Sequence, residues 1–200
     1  SNPGTPSCSV VLTFDGQEFQ PTTPAQVTDN DGQLLNQTLA DFLTDPQTGA
    51  QIPSTWYTTV GEIPSPGDTN WYITSWSWHQ NETVPADNWL TFGPVTMGDD
   101  DGELRWKHAM WDDGFRDGYR VLVGTAGLDV ADFNGADVVF SVTDNDPSTA
   151  GQTTMTQQSV SLPANQYANQ DLYFAIHHNS LNMVGIDFDD IEVEACNQLT

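Results

Sequence analysis

Positive charge is almost missing from this sequence. Four Lys and Arg residues stand against 28 Asp and Glu, a formal charge of −24, and Lys107 is the only lysine. A surface of that sign repels phosphate backbones and anionic headgroups, which excludes nucleic acid and an acidic membrane face as partners and favours divalent cations. Long apolar runs are missing too. No stretch of about 18 apolar residues occurs, so direct membrane insertion by a helix is excluded. Cysteine is scarce, with only Cys8 and Cys196, each within ten residues of an end. Paired, they would close nearly the whole chain, a staple of roughly 4–5 kcal/mol on the chain-entropy account. Such a bond belongs to an oxidising compartment and hence to a secreted, extracellular protein. Two unrelated thiols are the alternative.

Helical periodicity is also rare. Only Gln33–Leu43 carries it, with Leu35, Leu39 and Phe42 at helix spacing. No helix pattern alternates with strands, which excludes a parallel nucleotide-binding sheet. No Gly-x-Ser-x-Gly elbow is present, and no acid and base of a carboxylate pair stand out. The sequence therefore reads as non-catalytic, with a carboxylate-based glycoside hydrolase as the remaining enzymatic alternative.

Beta-strand signals fill most of what is left. Ser9–Phe14, Trp56–Val60, Trp71–Trp78, Trp89–Val95, Glu103–Trp111, Tyr119–Gly124, Asp137–Val142, Thr153–Leu162, Leu172–His177 and Val184–Glu194 alternate or are rich in β-branched and aromatic residues. Gly, Pro, Asn and Asp separate them. About ten strands with polar turns predict an all-β fold, an antiparallel two-sheet jelly-roll sandwich. Residues 1–8 read as a linker remnant, 9–196 as a single β-sandwich domain and 197–200 as a tail. The Ser-Asn-Pro-Gly-Thr-Pro-Ser opening points to flanking domains of the same polypeptide.

Several turns concentrate oxygen ligands: Thr28–Gly32, Asp99–Gly102, Asp112–Gly118 and Asp144–Pro147. Calcium takes six to eight such oxygens, although none of these turns completes a helix-loop-helix calcium motif. In Ile186–Val193, the Asp189-Asp190 pair breaks the alternation, and a carboxylate turned inward has to be neutralised, paired or metal-bound. Asp15 and Asp189 each lie seven residues from a cysteine, so paired ends would bring them together around an ion. Acidity has a second reading, as a surface that keeps a protein hydrated in concentrated salt. The four histidines, His79, His108, His177 and His178, read as polar strand-end residues; His177 and His178 face opposite sides of one strand and do not share a metal there.

Five aromatics are candidates for ligand contact: Trp56, Tyr57, Trp76, Trp78 and Trp111. Tyr72, Trp76 and Trp78 fall on one strand face, and flat rings left exposed would stack on sugar faces. Filling the core is their alternative role.

Ordered matches then stand out. Ser75-Trp76-Ser77-Trp78, Pro85–Thr91, Asp117–Val123, Phe174–Ser180 and Asp189–Val193 together make the chain resemble the cleaved-adhesin or "choice-of-anchor J" family of bacterial secreted modules, over roughly 9–195. The resemblance implies a jelly-roll sandwich related to galactose-binding-like and carbohydrate-binding modules, with structural Ca2+. By motif position it implies metal ligation by Asp15, by Asp29 and Asp31 of the Asp-x-Asp-Gly turn, and by Asp189. The sequence departs from the family pattern in an insertion at about 33–53, and in His177, where the family commonly has Arg. The implied function is a calcium-stabilised, cell-surface binding or adhesion module recognising an extracellular glycan or protein surface. A structural spacer without ligand is the alternative.

Overall fold

Short alternating runs bury their apolar faces only by stacking one sheet on another. The structure, a computed structural model, describes residues 9–13, 20–21, 23–36, 56–60 and 71–195. In chain order its strands are β1 (Ser9–Thr13), β2 (Gln20–Pro21), β3 (Ala25–Asp29), β4 (Tyr57–Val60), β5 (Trp71–Trp76) and β6 (Asn88–Thr96). Then follow β7 (Gly102–Met110), β8 (Tyr119–Gly124), β9 (Asp137–Val142), β10 (Thr156–Leu162), β11 (Asp171–His178) and β12 (Gly185–Glu194). The first sheet runs β10-β7-β12-β1-β2, with β5 also pairing β12 and β4 pairing β5; the second runs β3-β6-β11-β8-β9. All pairings are antiparallel, and the architecture is the two-sheet sandwich read from the sequence.

The core lies between the sheets. Leu104, Trp106, Phe188, Ile191 and Val193 from the first sheet meet Leu90, Phe92, Tyr119, Val121 and Phe174 from the second. Phe188 is fully buried and sits edge-on to Tyr119 with centroids 4.9 Å apart. Truncating a ring of this kind costs about 3–5 kcal/mol. A smaller cluster covers the outer face of the second sheet, where Trp89, Leu122 and Ala175 pack under Phe133 of a 3-10 turn over Val130–Phe133.

The Asp189-Asp190 irregularity is a β-bulge. Asp189 pairs Lys107 and Glu192 pairs Arg105, so two residues of β12 oppose one of β7, and Asp190 takes φ 47. The extra residue lets Phe188 and Ile191 both enter the core. Asp189 therefore turns away from the core, where its carboxylate accepts from Asp190 N at 2.8 Å.

Three elements differ from expectation. Strands β2 and β3 carry too few apolar residues to announce themselves. Within the helix expected over Gln33–Leu43, residues 33–36 are extended instead. Leu35 bridges His79 across Asn36 N to Trp78 O (2.8 Å) and Gln80 N to Leu34 O (2.8 Å). Leu35 is 2% exposed and Leu34 64%, so the two neighbours alternate in the strand manner and core burial of Leu35 overrides the helical spacing. Residues 37–43 lie outside the described residues.

Candidate ligand-binding site

Three connections meet at one end of the sandwich: 77–87 after β5, 111–118 after β7 and 179–184 after β11. Asp117 ties them together. Its Oδ1 accepts from the Ser77 hydroxyl and faces His178 Nε2 at 2.9 Å, while Oδ2 accepts from Val184 N at 3.3 Å. Asp117, Ser77 and His178 are all 0% exposed. A buried carboxylate is tolerated only with its lone pairs satisfied, and here the partners come from the start of the first connection, the last residue of β11 and the end of the third connection. Asp144 does the same one layer outward, accepting from Gly118 N (2.9 Å), Ser180 Oγ (2.5 Å) and Leu181 N (3.0 Å). A side chain at Gly118 would meet Asp144 N at 2.9 Å, so this close approach requires glycine.

The relay continues inward. His178 Nδ1 lies 2.7 Å from Ser75 Oγ, which also accepts from Asn88 Nδ2 at 3.2 Å. Asp117, His178 and Ser75 thus form an Asp-His-Ser chain of the kind that activates a nucleophile. Ser75 is 0% exposed near the end of β5, however, so no substrate reaches its oxygen. The chain fixes loops.

Above these anchors opens a cleft of about 320 Å³, walled by Trp78, Phe115, Met183 and Val184, with Glu82 and Asp112 at its rim. Phe115 is 56% exposed and neighbouring Leu181 42%. The cleft joins flat apolar surface to carboxylate acceptors, suited to a ligand with an apolar face and hydroxyl donors. Its size falls at the lower end of small-molecule sites.

Of the five aromatics singled out in the sequence, Trp78 lines this cleft. Trp111 lies half-buried beside Asp112; its ring packs on Trp76 with centroids 4.4 Å apart, and its Nε1 donates to Asp187 Oδ1 at 2.8 Å. Trp76 and Trp56 are 2% and 4% exposed, and Trp56 packs edge-on to Phe188 at 5.4 Å, so neither presents an open ring face. Tyr57 begins β4, its backbone paired with Thr74, and its side chain lies outside the described residues. Sequence reasoning missed Phe115, Met183 and Glu82. An aromatic between Asp-Asp-Gly and Arg-Asp-Gly was the available signal for Phe115.

The proposed metal ligands separate. Asp29 and Asp31 occupy one turn at the edge of the second sheet, whereas Asp189 lies in the first. Asp29 Oδ1 accepts from Asp31 N (3.1 Å) and Gly32 N (2.8 Å), and the two oxygens of Asp31 accept from Gln33 N (2.8 Å) and Asp87 N (2.7 Å). Three of the four carboxylate oxygens in that turn are therefore engaged by backbone N–H groups. Among the described residues no three His, Cys, Asp or Glu side chains converge as a metal-holding group. Asp15, Cys8 and Cys196 lie outside the described residues. The pairing Ser9↔Glu194 does set the strand that follows Cys8 beside the strand that leads to Cys196.

His177 and His178 end β11 on opposite sides, as the strand period requires. His177 belongs to the outer face of the second sheet, where it stacks on Trp89 at 3.9 Å.

The fold is that of the cleaved adhesin domains of Lys-gingipain. The K1 domain from Porphyromonas gingivalis is similar with a TM-score of 0.62 at 19% identity, over 94% of this chain and 99% of that one. The K2 domain gives 0.58 at 20% identity, over 92% and 98%. The K3 domain from Porphyromonas gingivalis gives 0.58 at 19%, over 92% and 96%. No family model and no curated protein matches the sequence.

Proposed function

We propose that this chain, folded as the adhesin domains are, is a non-catalytic extracellular binding module of a larger cell-surface polypeptide, and that its loop-end cleft takes a neutral sugar ring. One observation carries the reading: Trp78 and exposed Phe115 share a cleft with Glu82 and Asp112, on loops that buried Asp117 holds from beneath. Ring faces stack on the C–H face of a pyranose, and carboxylates accept from its hydroxyls. The acid rim in a chain of −24 turns away polyanions. Burial of Ser75 supports binding without turnover. Within the described residues no helix is long and apolar enough to cross a membrane.

Calcium enters the proposal as counter-charge for the acidic surface, not as an ion shared by Asp29, Asp31 and Asp189.

A glycan array probed with the wild type, Trp78→Ala and Phe115→Ala tests the site. Binding to neutral glycans, lost in both variants while Phe115→Ala keeps its melting temperature, is the expected result. Silence of the wild type across the array favours a spacer without ligand. Release of reducing sugar from a bound glycan, abolished by Glu82→Gln or Asp112→Asn, would make the chain a hydrolase instead.

A further inference from the structure

The scarcity of positive charge makes the pairing of each cation informative. Arg105 contacts Glu103, Glu192 and Glu194, Lys107 contacts Asp190, and Arg116 contacts Asp113. Arg120 is the exception: among the described residues no carboxylate lies within ion-pairing distance of it. Its Nε donates to His177 Nδ1 at 2.8 Å, and His177 Nε2 is 2.7 Å from Asp87 Oδ1. Nδ1 accepts and Nε2 donates, which is the neutral imidazole. Burial first, and then the Arg120 charge, hold His177 down at about 4, so it stays neutral near pH 7 and leaves the guanidinium uncompensated. The side chain is also fixed from below, its carbon Cζ 5.9 Å over the Trp89 ring.

That guanidinium borders a groove of about 410 Å³ on the outer face of the second sheet, between the sheet and the 3-10 turn. Leu122, Phe133 and Val138 give it apolar walls, and Asn134 and Gly135 add amide groups. Nη1 and Nη2 of Arg120 have no hydrogen-bond partner among the described residues. A fork of donors aligned in this way matches one carboxylate. The field of the remaining acids repels any ligand carrying several charges.

We propose that this groove is a second binding site, for a single carboxylate carried on a ring-sized body with one apolar face, the chemistry of a uronic-acid residue. It lies on a sheet face and not at the loop-end cleft, and it does not rest on the reading of that cleft. Arg120 binds the carboxylate, the apolar walls take the ring face, and Asn134 meets hydroxyls.

Titration calorimetry with methyl glucuronoside, its methyl ester and an acetylated dipeptide acid tests this. The free acid is expected to bind, the ester at least about tenfold more weakly for want of the charge-assisted pair. Arg120→Gln should lose the acid to the same degree. Because Arg120 also holds His177, Val138→Asp serves as a second variant; Val138 is 51% exposed and touches neither residue's hydrogen bonds. It should abolish binding at an unchanged melting temperature, and Trp78→Ala should leave binding intact. Equal binding of acid and ester, binding by Val138→Asp as by the wild type, preference for the dipeptide, or no binding of the acid at all would overturn the site.

Discussion

Trp111 Nε1 and Thr74 Oγ1 both donate to one oxygen of Asp187, at 2.8 and 2.5 Å. With two donors on Oδ1, the proton of a neutral carboxyl is carried by Oδ2. Burial, at 1% exposure, is the main force raising this carboxyl, to about 8, and the charge of Asp117 pushes in the same direction. An acid that β12 places on the outer face of its sheet is thus kept neutral by burial, against the opposing pull of the Thr74 and Trp111 hydrogen bonds, which favour its charged form.

The sign of the resulting pH dependence follows. Between its ordinary value near 3.8 and about 8, folded Asp187 holds a proton that the unfolded chain has released. Its contribution to stability is complete at low pH and is lost as pH rises through about 8. Asp187→Asn keeps an acceptor oxygen for both donors and removes the ionisation. Thermal melts across this range should show a flatter slope for the variant and a higher melting temperature than wild type above about pH 8. Parallel pH profiles would show that Asp187 does not titrate this way.

Asp117 makes a sharper prediction. Its removal strands the Ser77 hydroxyl, His178 Nε2 and Val184 N in a dry interior. Asp117→Ala should therefore cost about 3–5 kcal/mol, the range for breaking a buried charged network. Ser75→Ala, which removes one hydroxyl between His178 and Asn88, should cost only about 1 kcal/mol. Denaturant titrations of the two variants give the comparison; equal losses would mean that Asp117 does not organise the loops.

Much of the sandwich was legible because its strands carry their faces in their spelling. Tyr119–Gly124 and Asp137–Val142 fall on β8 and β9 to the residue. Leu35 shows where such reading fails. Its spacing to Leu39 and Phe42 is helical, yet a bridge to His79 and burial in the core decide its backbone. The candidate site was only partly visible. Trp78 advertises itself, but Phe115 and Met183 join it through loops whose meeting depends on Asp117, a residue that looks like one more turn-forming acid. The Asp189-Asp190 pair shows a third limit. Its broken alternation was plain, but a bulge solves that problem as well as an ion does, and pairing register is not written in one strand alone.

The cysteine ends can be tested directly. Because Ser9 pairs Glu194, the chains next to Cys8 and Cys196 run side by side. A disulfide there should appear as a mass 2 Da below the reduced chain, for the loss of two hydrogens. Its reduction should lower the melting temperature on the order of 10 °C, from a staple of roughly 4–5 kcal/mol in a domain of this size. Two free thiols in the chain purified without reductant would remove the proposal.

Chelation separates the two explanations of the acidic surface. If calcium supplies counter-charge, its removal leaves 28 acids facing four cations, and the folded state, which crowds those acids most, loses stability. Treatment with EDTA followed by dialysis should lower the melting temperature by several degrees, and more at low ionic strength, where the Debye length of about 30 Å lets the acids repel across the molecule. Added calcium should restore the melt at millimolar levels that leave ionic strength nearly unchanged. If acidity serves only hydration in salt, sodium chloride at matched ionic strength restores the melt as well as calcium does. Only the first outcome keeps calcium as a partner, because monovalent screening depends on ionic strength whereas oxygen coordination depends on the ion.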